Sequence, residues 1–281
     1  MTSDSNALTL PRPRRGRLLV RRLLAWCVHF YTALGLVCAA GIAVAIFHGP
    51  ESFRLAFLLM FIATVIDATD GTLARLVQVK KVLPGFDGRR LDDLIDFQTY
   101  TSLPLLLIWR AGLLPPEDAW CLLVPLLASA YGFSQSSAKT EDGYFLGFPS
   151  YWNLVAFYLY VLQPPAWLCL TVLWGFALLT FVPLRYLYPT QRGLVNQVSN
   201  LLAFVWGGLL VWVVWDMPGP SPSGGFTDPS TRRLALISLA YPVYYLGVSW
   251  WISWRYWQKK RPGGRRRAKL RTRSGGEGSL R

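Results

Sequence analysis

Apolar residues gather along this chain in stretches of about 20, the length an α-helix needs to cross a hydrocarbon layer of about 30 Å. About eight such stretches follow one another, at roughly 25–47, 53–74, 91–110, 118–136, 149–163, 166–185, 198–215 and 233–254. The pattern predicts an all-α protein, a polytopic transmembrane helical bundle of about eight spans. The fifth stretch is short, and Pro164-Pro165 divides it from the sixth, so the two read as a tight hairpin. Pro115-Pro116 and the Pro/Gly/Ser cluster at 218–230 mark further loops.

Charge orients this series. Arg12, Arg14, Arg15, Arg17, Arg21 and Arg22 precede the first span, Lys80, Lys81, Arg89 and Arg90 lie in the second loop, and Lys139, Arg185 and Arg192 lie in later even-numbered loops. The remaining loops are nearly free of basic residues, apart from Arg232 and Arg233. By the positive-inside rule both termini are expected to be cytoplasmic. Three regions follow: a basic cytoplasmic segment at 1–22, a membrane domain at 23–257, and a basic tail at 258–281 expected to be disordered. The apolar run from Leu23 to Phe47 exceeds the ~7–15 residues of a signal-peptide core and reads as a retained span.

Composition narrows the class. Of 281 residues 53% are hydrophobic and only 16% charged, too few to cover a soluble surface. A net charge of +14 concentrated at the ends of such a chain points to anionic membrane lipids, with no nucleic acid as partner. Cys27, Cys38, Cys121 and Cys169 sit singly in apolar sequence, which excludes a disulfide framework and a zinc site. His29 and His48 have no Cys or His nearby and read as packing residues. Trp174, Trp206, Trp250, Trp251, Trp254 and Trp257 lie in or near span ends, where indoles anchor to the interface.

The chemistry is concentrated in DATDGTLARLVQVKKVLPGFDGRRLDDLID, which runs from Asp67 to Asp96 across the second loop. Asp67 and Asp70 share one helix face, and Asp92 and Asp96 share another. Four carboxylates thus converge at a membrane boundary, where each costs up to ~2.5–3.5 kcal/mol if carried to the bilayer centre. Hard divalent cations suit such a donor set, and two ions ~3.5–4 Å apart can clamp a phosphoryl group during in-line displacement. Ion pairing with Arg75, Arg89 and Arg90 would also neutralise the acids, but it leaves Gly71, Gly88 and the regular spacing unexplained. Gly71 and Ala74 leave room for a bulky group such as a nucleotide. Asp93 points about 100° away from Asp92 and is not counted as a ligand. Lys80 and Lys81 read as ordinary basic loop residues.

Asp67-x2-Asp70-Gly71-x2-Ala74-Arg75 followed by Gly88-x3-Asp92-x3-Asp96 resembles the signature of the CDP-alcohol phosphatidyltransferases. Twelve residues, 76–87, separate Arg75 from Gly88, where most of that family is expected to have about eight. The longer spacing resembles the bacterial branch that condenses CDP-diacylglycerol with free choline. The stretches VKKVLPGF, LDDLIDFQTY, KTEDGYFLGFPSYWN and LLTFVPLRYLYP resemble it too. The resemblance implies that Asp67, Asp70, Asp92 and Asp96 bind two ions of Mn²⁺ or Mg²⁺, and that Asp96 is also the general base on the choline hydroxyl. Gly71, Ala74, Arg75 and Gly88 would then border the nucleotide and its phosphates. It further implies a multi-pass protein of the bacterial inner membrane, an active site facing the cytoplasm, CDP-diacylglycerol and choline as substrates, and often a homodimer.

Choline carries a quaternary ammonium, which aromatic faces hold. Tyr100, one turn beyond Asp96, and Tyr144, Tyr151 and Trp152, near the start of the fifth span, are the candidates, with Glu141 and Asp142 adding negative charge. Interfacial anchoring is the alternative role for each aromatic. Three other functions compete: the same chemistry on glycerol phosphate, inositol phosphate or serine; an aspartate-rich membrane prenyltransferase, which would not need Gly71-x2-Ala74-Arg75; and a cation transporter, whose ligands would be expected nearer the bilayer midplane.

Overall fold

The computed structural model describes residues 15–135, 140, 144–187, 193–217 and 229–260. Arg12, Arg14, Lys139, Glu141, Asp142, Arg192 and the tail beyond Lys260 lie outside the described residues. The chain is a helical membrane protein. Its helices are α1 (Arg15–His48), α2 (Phe53–Val77), α3 (Val79–Val82), α4 (Gly88–Asp96), α5 (Leu103–Arg110), α6 (Leu123–Ser134), α7 (Trp152–Leu162), α8 (Ala166–Phe181), α9 (Leu194–Trp215), α10 (Pro229–Ser238) and α11 (Ala240–Lys260). Among the described residues, four segments are long and apolar enough to cross a membrane: Leu18–His48, Pro50–Val77, Leu194–Trp215 and Pro229–Lys259.

The third and fourth predicted spans are composite. A π-helical segment, Phe97–Ser102, joins α4 to α5, and a 3₁₀ segment, Pro116–Leu122, leads into α6. The π turn has a local cause. Pro104 has no N–H to offer the carbonyl four residues back, and its ring crowds that carbonyl, so the helix widens ahead of it. Pro242 stands in the same relation to Ser238, where α10 gives way to α11.

α7 lies at the centre. Every residue from Trp152 to Val161 is buried except Leu154. Its rings interlock with α2: Phe57 packs edge-on to Phe157 at 5.7 Å between centroids, and Phe53 meets Tyr160 at 5.4 Å. Polar ties cross the same core. Asn153 Nδ2 donates to Thr64 Oγ1 at 3.3 Å, and Trp206 Nε1 donates to the Tyr158 hydroxyl at 3.0 Å. The outside is the reverse of a soluble protein. Phe204, Leu194, Trp215 and Leu201 on α9 are exposed, as are Phe47, Leu76 and Trp167 elsewhere, which fits a lipid-facing belt.

Two short strands, β1 (Phe145–Leu146) and β2 (Arg185–Tyr186), pair antiparallel, with Phe145 opposite Tyr186 and Leu146 opposite Arg185. The ribbon is fastened to α11, where Ser253 Oγ accepts from Arg185 N at 2.7 Å. Gly147 follows β1 with φ of 84°, and a Cβ there would lie 2.4 Å from the Thr180 carbonyl oxygen, so only glycine fits the turn.

Candidate functional site

The site is assembled by α2 and α4, with α1 packed against both. On α2, Asp67 and Asp70 are one turn apart. α4 starts where Asp87 accepts from the backbone N–H of Arg89 at 3.1 Å and of Arg90 at 3.4 Å, an N-cap that satisfies donors the helix cannot. From that start Gly88, Asp92 and Asp96 follow at four-residue intervals along one face.

Carboxylate oxygens of Asp67, Asp70 and Asp92 all lie within 4.8 Å of one another. At an effective dielectric of about 20, two unit charges at such a distance repel by roughly 3–4 kcal/mol. Two hydroxyls ease this. Thr32 Oγ1, on α1, donates to Asp70 Oδ2 at 2.7 Å, and the Tyr100 hydroxyl, on the π turn, donates to Asp67 Oδ2 at 2.8 Å. Hydrogen bonds to charged groups contribute about 1.5–3 kcal/mol each, less than three mutual repulsions together. Clustered carboxylate oxygens are the donor set of a hard divalent cation, and the three fit one. Asp96, half-buried at the end of α4, shares the electrostatic environment of Asp67, Asp92 and Asp70 but is outside the trio.

Arg89 and Arg90 are engaged with other acids, and Arg75 with a hydroxyl. Arg89 Nε lies 4.0 Å from Asp93, and Arg90 Nε lies 3.4 Å from Asp87. Arg75 donates to Thr72 Oγ1 at 2.9 Å, and its guanidinium passes over Gly71, where an added Cβ would lie 3.4 Å from Nη1. Ala74 packs with Ala25, Val28 and Val79 between α1, α2 and α3. The space over Gly88 is filled from within the protein: a Cβ there would lie 2.5 Å from Cε1 of His29.

The sequence-predicted aromatics separate. Tyr100 is buried with its hydroxyl on Asp67, and its ring lies 6.3 Å from that of Tyr151. Tyr245 of α11 shares the electrostatic environment of Tyr151 and donates to the Leu187 carbonyl at 3.1 Å. Tyr144 instead faces Arg185, whose guanidinium lies 5.2 Å from the Tyr144 centroid and 3.4 Å from that of Tyr256. Trp152 is 0% exposed, and its indole donates to Ser129 Oγ at 2.6 Å. Sequence reasoning missed Thr32 and Tyr245. Thr32 carried a signal, since it is a polar residue inside an apolar span.

Comparison with known proteins identifies the family. The sequence model of a family described as CDP-alcohol phosphatidyltransferase matches residues 28–183. The chain is 44% identical over 204 residues to a phosphatidylcholine synthase of Legionella bozemanae, covering 72% of this chain and 92% of the relative. It is 32% identical over 243 residues to a phosphatidylcholine synthase of Pseudomonas aeruginosa, covering 85% and 95%. A phosphatidylcholine synthase of Borreliella burgdorferi is 32% identical over 228 residues, covering 80% and 92%.

Proposed function

The chain belongs to the CDP-alcohol phosphatidyltransferase family, and from that premise we propose that it condenses CDP-diacylglycerol with choline to give phosphatidylcholine and CMP. The convergence of Asp67, Asp70 and Asp92 from two helices carries this reading. The relatives' names and the twelve-residue interval between Arg75 and Gly88 favour choline as the acceptor.

Asp67, Asp70, Asp92 and Asp96 would hold two ions of Mn²⁺ or Mg²⁺, which when bound neutralise the substrate diphosphate and the charge developing on departing CMP. Thr32 and Tyr100 keep Asp70 and Asp67 oriented. Asp96 accepts the proton of the choline hydroxyl. The freed oxygen attacks the lipid-side phosphorus, the bond to the CMP oxygen breaks, and CMP leaves without a covalent enzyme intermediate. Arg75 lends positive charge to the phosphates, and Gly71, Ala74 and Gly88 border the nucleotide. The quaternary ammonium rests on the aromatic faces around Tyr151, with Tyr100 and Tyr245 behind it. Tyr144 already faces a cation, and Trp152 supports the site from the core.

In the same reading the membrane domain spans 23–257 and crosses about eight times. The active site and the basic segments 1–22 and 258–281 face the cytoplasm of a bacterial inner membrane, near anionic lipids. Exposed Lys80, Lys81, Arg89 and Arg90 beside the acids support that orientation. Purified protein given CDP-diacylglycerol, labelled choline and Mn²⁺ is expected to release CMP and form labelled phosphatidylcholine. Glycerol phosphate, inositol phosphate and serine, offered in parallel, are expected to yield little product. Faster CMP release with one of those would reassign the acceptor, and metal uptake into proteoliposomes with no CMP release would overturn the enzyme.

A further inference from the structure

His29 sits on α1 three residues before Thr32, and so one turn from the side chain that holds Asp70. Its imidazole lies against Gly88, one turn before Asp92 on α4. The side chain is only 6% exposed, and its Nε2 is buried with no hydrogen-bond partner. Leaving such an atom unsatisfied is costly, and packing alone would select an apolar side chain there. Two aromatic rings flank it. Phe86 is 4.3 Å away between centroids and 38% exposed, and Trp26 is 5.9 Å away and 50% exposed. Trp26 and Phe86 also pack edge-on to each other at 5.4 Å, leaving their outer faces open. A buried polar atom without a partner, beside partly exposed rings, one turn from Thr32 and against Gly88, fits a planar heterocycle that stacks on those faces and offers hydrogen-bonding groups.

We propose that His29 is a binding residue for the nucleoside end of the CDP-activated lipid, with Nε2 hydrogen-bonding the cytidine beside Phe86 and Trp26. The proposal rests on the CDP-alcohol reading of the acidic site. It assigns α1 a direct part in substrate recognition and gives Gly88 a second use, since the missing Cβ makes room for the imidazole.

The chain has two histidines, and the other, His48, is exposed and bonded to its own helix through the Val44 carbonyl at 2.8 Å. His48→Gln therefore leaves His29 as the sole imidazole. In that protein, labelled with ¹⁵N-histidine and held in Mg²⁺, CMP is expected to displace the imidazole resonances, whereas pyrophosphate, which has no nucleoside, is expected to leave them in place. His29→Leu is expected to bind CMP about tenfold more weakly by calorimetry, the loss of roughly one hydrogen bond, and His29→Gln to recover most of that. Unmoved resonances at saturating CMP, equal displacement by pyrophosphate, or a Leu variant with native CMP affinity would each overturn the assignment. A native chain that binds no CMP at all overturns the enzymatic reading beneath it as well.

Discussion

Thr32 and Tyr100 show how a carboxylate cluster is held in shape by groups that are not themselves acidic. Each hydroxyl reaches one oxygen of one aspartate, leaving the other oxygen for a cation. Thr32→Val and Tyr100→Phe are each expected to weaken Mn²⁺ binding about 10-fold, measured by electron paramagnetic resonance titration with no lipid substrate present. Thr32→Ser should keep near-native affinity, and a Val variant as tight as native would remove Thr32 from the site. Asp96→Asn is expected to lower kcat by about 10²–10⁴ and to weaken one of the two ions in the Mn²⁺ titration while sparing the other; undiminished turnover would dismiss Asp96 as the base. The convergence of Asp67, Asp70 and Asp92 was legible because spacings of three and four residues fix helix faces. Thr32 gave only the weak signal of its polarity, because a lone threonine in an apolar helix ordinarily bonds its own preceding turn, and Thr32 also approaches the Val28 carbonyl at 3.3 Å. Tyr144 was named for choline by its ring and its place near the start of the fifth span, and no spacing rule could disclose that Arg185 lies over its ring.

At the scale of elements, the phase of α4 and of the segment after it decides what reaches the site. Asp87 fixes where α4 begins, and Asp87→Ala is expected to cost about 1 kcal/mol, read as a lowered Tm, with reduced Mn²⁺ affinity from a frayed first turn. The π turn ahead of Pro104 carries Tyr100 toward Asp67. Pro104→Ala restores the missing donor, so the segment is expected to relax toward α-helix and turn Tyr100 off Asp67. Turnover should then fall several-fold with no loss of Tm, and a variant with unchanged kinetics would show that the π turn has no part in catalysis. Helical periodicity marked where this segment lies but could not show the change of pitch inside it, since a 3.6-residue pattern assumes a uniform helix. The short fifth stretch was also visible in sequence. That its helix is walled in by its neighbours was not, because an apolar run looks the same whether lipid or protein surrounds it.

For the whole molecule, the acids draw α1, α2 and α4 together at a cost that a bound cation removes, so metal and folding are linked. Mn²⁺ at 100 times its Kd is expected to stabilise the native state by about 2.7 kcal/mol. The detergent-solubilised protein should therefore melt lower in EDTA than in Mn²⁺, and Asp70→Asn should shrink the difference. A Tm indifferent to chelation would argue against any resident ion. The central helix has a consequence of its own during synthesis. With 11 residues, α7 is about 16 Å long, roughly half a hydrocarbon layer. It cannot anchor itself there unaided, so it must be escorted in by α8 across the Pro164-Pro165 corner and find its seat only once later segments have been made. Late translation products, and not merely the acid-bearing early ones, therefore decide whether a newborn chain matures or is cleared.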